Sequence, residues 1–96
     1  MDKEKESGLD NGSSIWQASA HVSPERLEQL QREHIGFLRI RQVVELTSKS
    51  RSQIYRDASA GRFPKQVRIS TNCTAWKAFE VFAWMESVPY VSNVNA

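Results

Sequence analysis

Cysteine is almost missing from this 96-residue chain, and the single Cys73 makes an intramolecular disulfide impossible. Histidine is as scarce: His21 and His34, with one cysteine, do not make the Cys/His spacing of a zinc site, so no metal or other cofactor is expected. The chain also lacks a glycine-rich phosphate loop, a nucleophile with a paired histidine and a carboxylate cluster, which argues against an enzyme. No apolar run approaches the ~20 residues that span a bilayer. The opening MDKEKESGLDNGSS has no apolar core of the kind a secretory signal carries, so no membrane partner and a cytoplasmic location are expected. With 40% apolar side chains there is material for one small domain with one core.

What the chain has is an uneven distribution of charge. Residues 1 to 36 carry four basic side chains against seven acidic ones, whereas residues 37 to 68 carry eight basic against two acidic. A concentration of that kind suits a polyanionic partner, because each neutralised phosphate releases condensed counterions and adds affinity that does not depend on sequence. A solvated charged face is the plain alternative, and the pattern beneath the charge decides between them.

That pattern is the stretch IRQVVELTSKSRSQIYRDASAGRFPKQVR, residues 40 to 68. Ile40, Val43, Val44 and Thr47 follow the i, i+3, i+4, i+7 spacing of a helix with one buried stripe. A second helix begins at Ser50, where Ser-Arg-Ser-Gln places a hydroxyl at the N-cap and Gln53 three residues on, the capping-box arrangement, and Gly61 closes it. Two short helices joined so briefly cross steeply, as in a helix-turn-helix. On the second helix Ile54 and Ala58 share the inward face with Tyr55 at its edge, while Ser52, Gln53 and Arg56 point away, with Arg51 on the first turn. These four are the candidates for the major groove: Gln pairs with adenine, Arg with guanine, Ser with a base edge or a phosphate. Arg41, Lys49, Ser50 and the Tyr55 hydroxyl complete the set on these two helices expected to contact DNA.

After Gly61, Phe63 is a buried anchor, and residues 66 to 70 alternate polar and apolar as a half-buried strand does. Thr71-Asn72 is the expected hairpin tip, since Asn tolerates positive φ, and residues 73 to 76 return. The hairpin forms a wing that offers Lys65, Arg68 and Asn72 to the DNA backbone or minor groove. A last helix over residues 77 to 87 carries Val81, Trp84 and Met85 on one face, with Trp76 before it as core plug. Phe79 and Phe82 lie off that stripe, where they either extend the core or mark a contact surface.

Around this unit, residues 1 to 22 are polar and without periodicity, so a flexible tail is expected, with Ile15 and Trp16 as its exceptions. Trp16 is read as exposed, with docking on the domain or a partner as the other reading. Ser23-Pro24-Glu25 starts a helix that Gly36 ends. Its thin stripe, Leu27, Leu30, Ile35 and then Leu38, leans on the main domain or on a second copy, and His34 is a packing residue on it. Leu27, Leu30, Phe79 and Phe82 are therefore the expected partner-contact residues. Residues 88 to 96 read as a loose tail. The fold expected is α+β, mostly α: a small winged helix-turn-helix over residues 37 to 87 with an additional N-terminal helix over 23 to 36.

FLRIRQVVELT, SRSQIYRDASAGRFPKQVRI and AW…EVFAWM, at their spacing from Phe37 to Glu86, resemble the AlpA family of prophage regulators, within the excisionase-like and MerR-like winged helix-turn-helix proteins. The resemblance implies a small regulator of a mobile element that binds double-stranded DNA, activates or represses an integrase gene, or bends attachment-site DNA for excision. It implies Arg51, Ser52, Gln53, Tyr55 and Arg56 as recognition residues, Arg68 and the hairpin tip as wing, and a place on the bacterial nucleoid when bound. Two departures stand out: Ser48 replaces the usual glycine of the turn, and the tip 70 to 74 lacks the usual Gly and Arg. Weaker binding to DNA, or more dependence on protein partners, follows from the second. A homodimer or cooperative array on DNA is expected because one small domain offers one recognition helix. The competing reading is an adaptor or inhibitor that uses the same fold to hold an integrase or another protein.

Overall fold

Ser23 accepts a hydrogen bond from the backbone N–H of Arg26 (3.1 Å), and Pro24 fills the first helical position, so helix α1 runs Pro24–Glu33. In this computed structural model, which describes residues 15–91, it is followed by β1 (Phe37–Leu38), α2 (Ile40–Thr47), α3 (Arg51–Ser59), β2 (Val67–Ser70), β3 (Cys73–Lys77) and α4 (Ala78–Ser87). The three strands form one antiparallel sheet in the order β1-β3-β2, with Leu38 opposite Trp76 and Val67 opposite Ala75. This is the small α+β winged helix-turn-helix arrangement: α2 and α3 joined by a short turn, the β2–β3 hairpin as wing, and α4 behind them.

Both helices of the motif start with a glutamine that accepts from the N-cap N–H, and α3 adds the reciprocal bond. The amide oxygen of Gln42 accepts from the N–H of Arg39 (2.9 Å), and that of Gln53 from the N–H of Ser50 (3.2 Å), while the Ser50 hydroxyl accepts from the N–H of Gln53 (3.1 Å). Between the helices Ser48 takes the left-handed conformation, φ 63°, and its N–H bonds to the carbonyl of Val44 (2.9 Å). A side chain in that region costs roughly 1–2 kcal/mol. The Thr47 hydroxyl consolidates the turn, donating to the Val43 carbonyl (2.8 Å) and accepting from the N–H of Lys49 (3.2 Å).

The core beneath the motif is Val43, Ile54, Ala58, Phe63, Trp76 and Val81, all at most 2% exposed, with Leu38, Ile40, Val44, Trp84 and Met85 packed against them. Trp76 satisfies its indole N–H on the Pro64 carbonyl (2.8 Å). On the other side of α4, Leu30 and Ala83 are fully buried with Trp16 and Ala18, and Val22, Leu27, Phe79 and Phe82 pack against them.

Three expectations change here. Residues 15 to 22, placed in a flexible tail, form a packed segment: a 3-10 turn at Ala18–Ala20 and Trp16, 8% exposed, stacked on His21 at 4.8 Å. Residues 1 to 14 lie outside the described residues, as do residues 92 to 96 of the expected loose C-terminal tail. Leu27, Leu30, Phe79 and Phe82, offered as a partner surface, belong to this second intramolecular cluster, because α1 leans on α4 and covers it. Ile69, expected inward, is 41% exposed: a bulge between Arg68 and Ser70 breaks the alternation, and the hairpin reaches past the core.

Candidate nucleic-acid interface

The exposed side of α3 assembles what the capping box predicts. Arg51, Ser52, Gln53 and Arg56 are all exposed, and Arg51 and Arg56 have no ion-pair partner among the described residues. At the helix start the N–H groups of Arg51 and Ser52, in the first turn, have no intrahelical acceptor and add a partial positive charge there. Gln53 is held rather than free: its amide oxygen closes the Ser50 cap, so pairing with an adenine exchanges one bond for another. Tyr55, 36% exposed, lays its ring against Trp76 at 5.7 Å, the amphipathic placement expected of it.

Lys49 is placed differently from the other cations. Its ammonium lies 2.8 Å from Oδ2 of Asp57 and 5.4 Å from the centroid of the Trp84 ring, with 23% of the side chain exposed. The guanidinium of Arg62 takes the other oxygen, Nε at 3.2 Å and Nη2 at 2.9 Å from Oδ1. These bonds, the one from Lys49 foremost, hold the Asp57 carboxyl below the ordinary carboxylate range. The clasp therefore stabilises the fold at neutral pH and is lost as pH falls through that depressed value. Asp57 escaped the sequence reading because its partners lie eight residues before and five after it, across a turn and past a helix end, where helical spacing gives no signal.

The remaining cations spread outward. Arg41 is exposed on α2, Lys65 in the loop before β2, and Arg68 on β2 opposite Thr74. Asn72 takes φ 62° at the tip, the positive value that lets a hairpin close without glycine. Exposed basic side chains thus lie on α2, on the outer face of α3 and on the wing, while Lys49 between α2 and α3 is held on Asp57.

Helix α1 is fastened to α4 by a bidentate pair: Arg26 Nε lies 2.9 Å and 3.1 Å from the two oxygens of Glu86, and its Nη2 also contacts Oε2. The pair lowers the Glu86 carboxyl from its ordinary value and raises the guanidinium. His34, on the same layer, stacks on Phe82 at 3.7 Å, as a packing residue does. Among the described residues no group of His, Cys, Asp and Glu is arranged to hold a metal, and no helix is long and apolar enough to cross a membrane.

No solved structure matches the chain. A protein of Enterobacteria phage P4 described as uncharacterized protein ORF88 is 45% identical over 49 residues, which are 51% of this chain and 56% of the relative. The chain thus spans little more than half the length of that relative. Residues 36–88, from the glycine before β1 to the residue after α4, match the family described as Prophage CP4-57 regulatory protein (AlpA). With more than half of its length in that match, and with the fold just described, the chain belongs to the AlpA family of prophage regulatory proteins.

Proposed function

We propose that the chain is a sequence-specific, double-stranded-DNA-binding transcriptional regulator of a prophage or related mobile element, acting at an integrase promoter or, as a directionality factor, at an attachment site. The observation that carries the proposal is the outer face of α3, where Arg51, Ser52 and Arg56 are exposed and unpaired among the described residues while the adjacent Lys49 and Arg62 are held on Asp57. That selectivity is unlike a merely solvated charged face. Arg56 and Arg51 supply guanidinium forks for guanine or phosphate, Ser52 a small hydroxyl, and the N–H groups of the first turn a phosphate seat. Gln53 reads only by releasing its cap, which makes it a costlier reader than the arginines. Arg68, Lys65 and Asn72 bring the wing to the backbone, and Arg41 flanks α3 on the other side. The adaptor reading loses one of its two motives, since Phe79 and Phe82 pack within the chain, and keeps the other, a hairpin tip without Gly and Arg.

The test is a gel-shift titration against duplexes from integrase promoters and attachment sites, at several salt concentrations. The parent is expected to shift a subset of them, and Arg56→Ala to weaken that binding by about 1–3 kcal/mol and relax preference at one base position. Arg68→Ala is expected to weaken all duplexes alike and reduce the salt slope by about one. Absence of any shift at low salt, or equal binding by an Arg51→Ala/Arg56→Ala protein, sinks the proposal. Sedimentation with a bound duplex is expected to show more than one copy, because a single recognition helix covers a single half-site.

A further inference from the structure

We propose that Asp57 limits how tightly this protein holds DNA of any sequence, by keeping the charges of Lys49 and Arg62 on its own carboxylate. The inference rests on the DNA-binding reading above and adds to it a residue that acts against affinity. Lys49 precedes α3 and Arg62 follows it in the chain, and both side chains converge on Asp57 of the helix that carries Arg51 and Arg56. Each oxygen of Asp57 takes one of them: Oδ2 the Lys49 ammonium at 2.8 Å, Oδ1 the Arg62 guanidinium at 2.9 Å. The carboxylate is 16% exposed and the Lys49 ammonium also lies over the Trp84 ring, so salt screens this pair less than it screens a cation on the surface.

A phosphate that takes up Lys49 or Arg62 does so against the charge of Asp57, and more easily at Arg62, whose side chain is 62% exposed, than at Lys49. Each cation that does reach a phosphate contributes about 0.9 to the slope of log K against log salt, whatever the base sequence. Holding two of them back lowers the sequence-independent affinity of the α3 face and leaves the exposed groups of α3 as its main source of grip. Asp57 is thus a positioning residue for charge, touching no base itself.

The experiment measures binding of the full chain and of Asp57→Asn to a random-sequence duplex across a salt series, with circular dichroism as the check on folding. Asparagine keeps the size and one acceptor oxygen but removes the charge. Asp57→Asn is expected to bind the random duplex severalfold more tightly at low salt, with a slope steeper by about one to two. In the parent, Arg62→Gln is expected to leave the slope unchanged. In the Asp57→Asn background the same change is expected to lower it by about one. Equal slopes for the parent and a folded Asp57→Asn overturn the inference alone and leave DNA binding standing. If Asp57→Asn does not fold, Arg62→Gln decides: a slope lower by about one in that single variant shows the charge was already on DNA and overturns the inference. Failure of both parent and variant to bind any duplex at low salt overturns the DNA reading and this inference together.

Discussion

The two apolar clusters on either side of α4 are built on different terms. The one centred on Trp76 draws every residue from the stretch that matches the family, and it sets the angle between α2 and α3. The other, around Leu30, joins α4 to residues outside that stretch: Trp16, Ala18, Val22 and Leu27. Helix α4 is apolar nearly all round because it serves both, Val81 and Met85 toward the first, Phe79, Phe82 and Ala83 toward the second, and Trp84 between them. A helix between two layers packs both faces within the chain, and its phenylalanine pair is half-buried against the second layer. The comparison also separates duties: the first cluster holds α2, α3 and the hairpin together, while the second adds area and lies beside the Arg26–Glu86 ion pair.

The sharpest way to break the comparison is Trp76→Ala. A fully buried tryptophan with a satisfied indole N–H should cost about 3–5 kcal/mol when truncated, and DNA binding and global unfolding should fail together in urea titrations. Leu30→Ala, a fully buried leucine of the other layer, is expected to cost about 2–5 kcal/mol. Its signature differs: hydrogen exchange should speed in Pro24–Glu33 while the amides of α3 keep their protection. Equal loss of protection in α3 removes the distinction between the layers. Ser48→Gly, which relieves the left-handed backbone of the turn, should raise stability by about 1 kcal/mol without altering either cluster, as the urea midpoint will report.

The smallest expected effect depends on pH and sharpens the second layer. Burial raises the Glu80 carboxyl above its ordinary value. A raised acid binds more protons in the folded chain than in the unfolded one, so this group costs stability as pH rises from the ordinary carboxylate range through its folded value. Glu80→Gln should therefore melt slightly higher at neutral pH and lose that advantage in acid. Glu86, lowered by Arg26, behaves oppositely: Glu86→Gln should weaken the fold at neutral pH, and the difference should fade in high salt because the pair is exposed.

Local chemistry was legible in the residues. Ser50 with Gln53, Ser23 with Pro24, and the spacing of Val43, Ile54 and Ala58 each involve partners within one or two helical turns, and the structure places them as that spacing requires. What was not legible joins distant positions. Trp16 shares a buried cluster with Ala83, most of the chain away, and no periodicity connects a tail tryptophan to a helix so far off. Ile69 obeyed the period-two pattern in the sequence, yet a bulge turned it outward. Lys49 read as one more cation for DNA, until the fold brought Asp57 beneath it.

The sequence by itself determined the helix starts, the tight turn and the hairpin with its Asn72 tip, because caps, turns and amphipathic stripes are properties of neighbouring residues. Only the tertiary structure decided that α1 and Trp16 cover the second face of α4, and that two of the cations are held by one carboxylate. Burial and ion pairing depend on which surfaces the whole chain brings together, and charge counted along a sequence does not say which charges are already spent.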